Sequence, residues 1–82
     1  MDEETPTDIG YAVEMMRQGK RVRRAGWNGM GMWIRMRGTD DATQRMNETY
    51  QSFIEMKTVQ GSLVPWLCSQ SDLLATDWEL AE

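Results

Sequence analysis

The sequence predicts an α+β protein, one N-terminal helix packed on a small antiparallel β-sheet. Three observations carry that expectation. Apolar residues recur at helical spacing near the start, the pattern shifts to a period of two from Lys20 onward, and a glycine turn at 59–61 joins two strand-like runs.

Taken in order, residues 1–7 are acidic and contain Pro6, so they read as a frayed lead-in. Thr7 or Asp8 caps a helix over 8–18, whose Ile9, Ala12, Val13 and Met16 share one face and which Gly19 ends. Lys20, Val22 and Arg24 then alternate with Arg21, Arg23 and Ala25 as a strand, interrupted by Gly26-Trp27-Asn28-Gly29. In the next strand Met32, Ile34 and Met36 form an apolar face toward the helix. Trp33, Arg35 and Arg37 make the other, amphipathic face. Residues 38–52 are polar and without sustained periodicity, a long variable loop. Phe53 to Thr58 and Ser62 to Trp66 form a hairpin across Val59-Gln60-Gly61, and Pro65 puts the second strand at an edge or ends it there. Ser69 or Ser71 starts a short helical turn through Leu73, Leu74 and Ala75, and Trp78 to Leu80 make a last strand.

Eighty-two residues suffice for a single domain, 1–82. Surface scaling gives about 63% of the chain's surface buried on folding, near the marginal end for a lone subunit. With 40% hydrophobic and 27% charged residues the composition is globular rather than disordered. A net charge of −4 argues against a DNA or RNA polymer as partner. A small phosphorylated ligand remains compatible, because Arg17, Lys20, Arg21, Arg23 and Arg24 fall close together; the alternative is a solvated face that balances nearby carboxylates. One cysteine excludes an intramolecular disulfide, no apolar run spans a bilayer, and the acidic start is unlike a signal peptide, so a reduced, cytoplasmic location and no membrane partner are expected.

The chain has no histidine, which removes the commonest general base, the usual activator of Ser or Cys, and the leading metal ligand. Cys68 lacks charged neighbours and reads as a small core or pocket-lining residue. Asp72 and Asp77 are an imaginable acid–base pair, but their spacing suits caps or ion-pair partners better. The expectation is a protein without catalysis, bound metal or cofactor. The glycines of 26–31 match no Walker loop, yet with Trp27, Asn28 and the neighbouring arginines they supply an aromatic face, an amide and close-approach backbone for a nucleotide. Trp33, Trp66 and Trp78 are expected to fill the core or a subunit interface, while Trp27, in a turn, is expected to face a pocket.

Two blocks carry a resemblance to a known family. Ala25-Gly26-Trp27-Asn28-Gly29-Met30-Gly31-Met32 follows a helix ending in Gly19-Lys20, and EMKTVQGSLVPWLCSQSDLLATDWE spans 55–79. Together they cover about half the chain and resemble a family of small phage and prophage proteins that includes the second type of Thoeris anti-defence protein. The resemblance implies a sponge: a homotetramer with pockets at subunit interfaces that holds glycocyclic ADP-ribose, a cyclic ADP-ribose isomer made by TIR-domain immune enzymes, without cleaving it. Some members also hold cyclic oligonucleotide signals of CBASS defence at a separate site.

Carried over by position, Trp27 and Asn28 are implied to stack on and hydrogen-bond to base or ribose, and Ser69, Gln70 and Asp72 to address ribose or pyrophosphate oxygens. Arg24 is the choice for phosphate because its guanidinium fork suits phosphate oxygens. Structural alternatives stand beside these roles: Asp72 caps the helical turn, or Arg24 pairs with Asp77 or Glu79. Residues 38–52 match nothing in the family pattern. The competing reading is a small oligomeric adaptor whose tryptophans and methionines make only protein contacts.

Overall fold

The computed structural model describes residues 7–38 and 52–81. It is α+β: helix α1 (Ile9–Arg17), strands β1 (Val22–Arg24), β2 (Trp33–Arg37), β3 (Phe53–Lys57) and β4 (Leu63–Pro65), a one-turn helix α2 (Gln70–Leu73) and strand β5 (Trp78–Leu80). The five strands form one antiparallel sheet in the order β4-β3-β2-β1-β5.

Helix α1 forms where capping and periodicity agree. The Asp8 carboxylate accepts from Tyr11 N at 3.1 Å. At the other end Gly19 takes φ of 87°, which lets Gly19 N donate to Met16 O and Lys20 N to Met15 O. These two bonds satisfy carbonyls that the last turn would leave open. Ala12 and Met16 point from this helix onto Val22, Ile34 and Trp78, and these five residues are the fully buried core. Each of the larger ones contributes about 1.5–3 kcal/mol by leaving water.

Alternation along the strands sorts the two sheet faces. Ile34 faces α1 and is fully buried, so Trp33, Arg35 and Arg37 face the other way, and their register partners Lys57, Glu55 and Phe53 share that open face. Trp33 is therefore half-buried among charged residues and stands outside the core, unlike Trp78 at 1% exposure and Trp66, which packs against the core. Cys68 also departs from expectation: it is exposed, with Sγ donating to Ser69 O at 3.4 Å. The segment 66–69 runs along the surface after β4, which leaves the thiol no apolar enclosure.

The hairpin forms as its turn chemistry demands. Thr58 N donates to Ser62 O, Gly61 N donates to Thr58 O, and Gly61 sits at φ 93°, the left-handed region that a glycine enters without cost to a Cβ. Pro65 is the last residue of the edge strand β4, as its missing N–H favours. Thr7 is not frayed: its hydroxyl donates to Thr76 O at 2.7 Å and its carbonyl accepts from Trp78 N at 3.0 Å. Residues 1–6 and 39–51 of the expected lead-in and variable loop lie outside the described residues.

Candidate functional site

The turn between β1 and β2 borders an open cleft of about 260 Å³ lined by Arg23, Arg24, Trp27, Asn28, Met30 and Glu79 among others. Three structural ties hold the turn in place. The first is polar: Asp77 Oδ2 accepts from Gly26 N at 2.8 Å while its Oδ1 accepts from Arg24 Nε at 2.8 Å. The second is the close seat of Gly29, where a Cβ would collide with the side chains of Val59 and Met32. A side chain here would have to displace the Val59 and Met32 side chains for the turn to lie against the β3–β4 hairpin in this way. The third is aromatic: the Trp27 ring meets Trp78 at 5.4 Å and Trp66 at 6.4 Å between centroids, both edge-to-face, and Trp66 meets Trp78 at 6.0 Å. Edge-to-face packing aligns the positive ring edge with the negative ring face.

Asp72 connects this turn to α2. Its Oδ1 accepts from Arg24 Nη1 at 2.8 Å and from Trp27 Nε1 at 3.1 Å, and its backbone carbonyl accepts from Trp78 Nε1 at 3.2 Å. Ser69 caps α2, its hydroxyl oxygen accepting from Asp72 N at 3.1 Å. One residue in a four-residue helix thus fixes Arg24 and Trp27 from the far end of the chain and Trp78 from just beyond its own helix.

Of the six residues singled out in the sequence, Arg24, Trp27 and Asn28 line the cleft. Asp72 joins Arg24 and Trp27 from behind it, Ser69 holds Asp72, and Gln70 is exposed at the start of α2 with no side-chain bond to the other five. Arg24 spends Nε on Asp77 and Nη1 on Asp72, so the expected pairing with Asp77 forms, Glu79 pairs with Arg23 instead, and Asp72 is an ion-pair partner while Ser69, not Asp72, caps the helical turn. Trp27 both borders the cleft and packs against the core.

Two residues outside the six proposed for the ligand belong to the arrangement. Asp77 shapes the turn through Gly26 and Arg24. Arg23 lines the cleft with its side chain 44% exposed, paired to Glu79 at 2.8 Å. The signal for Arg23 was its place in the basic run, and alternation against Arg24 decides which of the two faces outward. Among the described residues no three His, Cys, Asp or Glu side chains gather as a metal site, and no helix is long and apolar enough to cross a membrane.

Both aspartates are held below the usual carboxylate range. Burial pushes Asp72 up, and the hydrogen bonds from Arg24, Trp27 and Ser69 more than offset it; for Asp77 the Arg24 bond leads, opposed by desolvation and aided by Gly26 N–H. The same two carboxylates raise Arg24. Depressed folded-state values mean that the trio stabilises the fold fully above the ordinary value of 3.8 and that this contribution is lost as pH falls through the lower folded values. Acid titration of stability should therefore steepen below about pH 4, and Asp72→Asn should flatten it. A parent-like slope in that variant, measured by denaturant unfolding across the same pH range, would remove Asp72 from the acid response. Cys68 moves the opposite way, raised by desolvation and then by the Asp72 charge, so its thiol is protonated at neutral pH and a poor nucleophile.

Comparison with known proteins adds two findings. The sequence model of the Thoeris anti-defense 2-like domain matches residues 7–81. Thoeris anti-defense 2 from Bacillus phage SP01 is 32% identical over 85 residues, covering 93% of this chain and 96% of that protein.

Proposed function

The chain belongs to the Thoeris anti-defense 2-like family, a phage anti-defence family, and on that premise we propose that it is a non-catalytic sponge for a cyclic ADP-ribose-type immune signal such as glycocyclic ADP-ribose. The observation that carries this reading is the cleft beside the β1–β2 turn, where an indole, an amide side chain and arginines converge on one opening. A cyclic ADP-ribose of this kind offers matching groups: a base to stack, ribose hydroxyls to hydrogen-bond, and a pyrophosphate to meet a guanidinium.

Charge placement assigns the parts. Arg24 with Asp72 and Asp77 makes a trio of net charge −1, so Arg24 shapes the site, and Arg23, in a single exposed pair with Glu79, is the cation that swings to phosphate. Exchanging one carboxylate partner for a more highly charged pyrophosphate costs little at an exposed pair, since such pairs are worth only about 0–1 kcal/mol. Asn28 donates to or accepts from the base or ribose.

The cleft of one chain, about 260 Å³, lies just below the ~300–1,000 Å³ typical of small-molecule pockets. The family resemblance is the ground for proposing a homotetramer with pockets between subunits, acting in the cytoplasm of the infected cell. Affinity is within reach: about 35 non-hydrogen atoms at about 0.3 kcal/mol each give roughly −10.5 kcal/mol, a Kd of tens of nanomolar. Sequestration needs that affinity and stoichiometric amounts, not turnover.

The test is retention. Purified protein mixed with glycocyclic ADP-ribose is passed through a small-cutoff filter, and the retained fraction is heated and analysed by mass spectrometry. Intact ligand released on heating is the expected result, and Asn28→Ala should weaken retention roughly tenfold, the worth of one good polar contact. Complete passage of unaltered ligand would favour the adaptor reading, and product masses would identify a hydrolase. Native mass spectrometry of the same sample reports the assembly.

A further inference from the structure

On the open face of the sheet, away from the β1–β2 cleft's tryptophan cluster, three cations surround one indole. Arg21 Cζ lies 4.9 Å from the Trp33 ring centroid, Arg35 Cζ 5.2 Å and Lys57 Nζ 6.0 Å. They come from three places: Arg21 just before β1, where its carbonyl accepts from Ala81 N at 2.8 Å, Arg35 from β2 and Lys57 from β3. Arg35 pairs with Glu55, but that carboxylate oxygen is shared with Arg37 at 3.2 Å, and neither Arg21 nor Lys57 has a carboxylate partner among the described residues.

Three positive charges all lie within the ~8 Å Debye length of one ring centre, and they repel one another at every ionic strength a cell offers. The ring face compensates each cation only modestly, about 0.5–1 kcal/mol at an exposed site. What that ring does well is hold the cations in place. The result is a preorganised cluster of excess positive charge on a chain whose net charge is −4. The cost of assembling it is returned when a compact anion enters, whereas a long polyanion would also meet the acidic remainder of the molecule.

We propose that the Trp33 cluster is a binding site for a compact, multiply charged phosphate ligand, a pyrophosphate or the pyrophosphate of a nucleoside diphosphate, separate from the β1–β2 cleft. Arg21 and Lys57 supply the charge, Trp33 fixes their positions, and Arg35 adds a fork whose other side is anchored by Glu55. Arg21, Trp33, Arg35 and Lys57 do not line the signal-binding cleft, although Arg23, which does, stands across from Trp33 in the β1–β2 register, so the test uses variants that separate the two sites.

The experiment uses sodium pyrophosphate and a nucleoside diphosphate as probes, with calorimetry on the full chain and indole ¹⁵N–¹H resonances assigned through Trp33→Phe. Expected are saturable binding tighter for pyrophosphate than for orthophosphate, a shift of the Trp33 indole, and at least a tenfold loss in the double variant Arg21→Ala/Lys57→Ala, as two charge-assisted contacts are removed. Asn28→Ala should leave pyrophosphate affinity unchanged, and the double variant should still retain glycocyclic ADP-ribose if the cleft binds it. Equal affinity for the two diphosphate probes would place recognition in the phosphates alone, and tighter binding of the nucleoside form would add the base; both uphold the site. Parent-like pyrophosphate binding by the folded double variant would overturn the proposal, as would loss of binding in Asn28→Ala or stronger binding of a single-stranded oligonucleotide than of either probe.

Discussion

Asp72→Ala is expected to lower stability by about 2 kcal/mol, a drop in Tm of roughly 8–16 °C for a chain of this size. The carboxylate is only 14% exposed and accepts from both Arg24 and the Trp27 indole, so its removal leaves two donors at a half-buried site without their acceptor. That loss weighs more than an ordinary surface pair, whose median worth is near zero to 1 kcal/mol. Asp72→Asn should lose less, because an amide oxygen still accepts from Trp27. Thermal unfolding of the parent and both variants decides the matter: an Asp72→Ala transition within about 2 °C of the parent would mean that the bonds to Asp72 are replaced by water at little cost.

The second large effect concerns Trp27, where two consequences arrive together. Trp27→Ala should weaken retention of glycocyclic ADP-ribose at least tenfold, since stacking on an aromatic ring contributes about 1–3 kcal/mol per base. The substitution also acts on the fold, because the ring that faces the cleft packs on two other indoles as well. Two edge-to-face contacts to Trp66 and Trp78 disappear with the ring, a loss of about 1–3 kcal/mol of stability. Trp27→Phe separates the two, because it keeps an aromatic face and loses only the indole N–H to Asp72. A stacking role predicts that Phe retains most of the affinity that Ala forfeits. Parent-like retention by folded Trp27→Ala would take the indole out of ligand binding.

What could be read from the sequence was local. Asp8, the apolar face of α1 and Gly19 announce a helix within a residue or so of its ends, and Gly61 announces the hairpin, because capping and turn chemistry act over three or four residues. The final strand at Trp78 to Leu80 was legible for the same reason. The site was legible only in its near parts. Arg24, Trp27 and Asn28 are neighbours in the chain, but Asp72 and Asp77 reach them across 45 to 53 residues, and no periodicity encodes such a meeting. Their coming together depends on β5 pairing with β1, which sets Arg24 opposite Trp78 and so brings the residues just before that strand over the turn. Trp33 shows the converse case. Its alternation with the buried Ile34 assigns it to the amphipathic face, so of the two expected places, core or subunit interface, the fold removes the core.

The proline that ends β4 has a consequence for how such a protein is tolerated in quantity. The proposed sponge binds one ligand per pocket and so accumulates to the concentration of what it captures, and dense solutions reward any strand that can recruit its own kind. In β4 the amides of Ser62, Val64 and Trp66 alternate inward toward β3, Trp66 N reaching Ile54 O at 2.8 Å. On the outward side Pro65 contributes no donor, so a neighbouring strand finds a broken row. That edge is thereby a poorer template for a second copy of the chain, which matters most when the protein is concentrated.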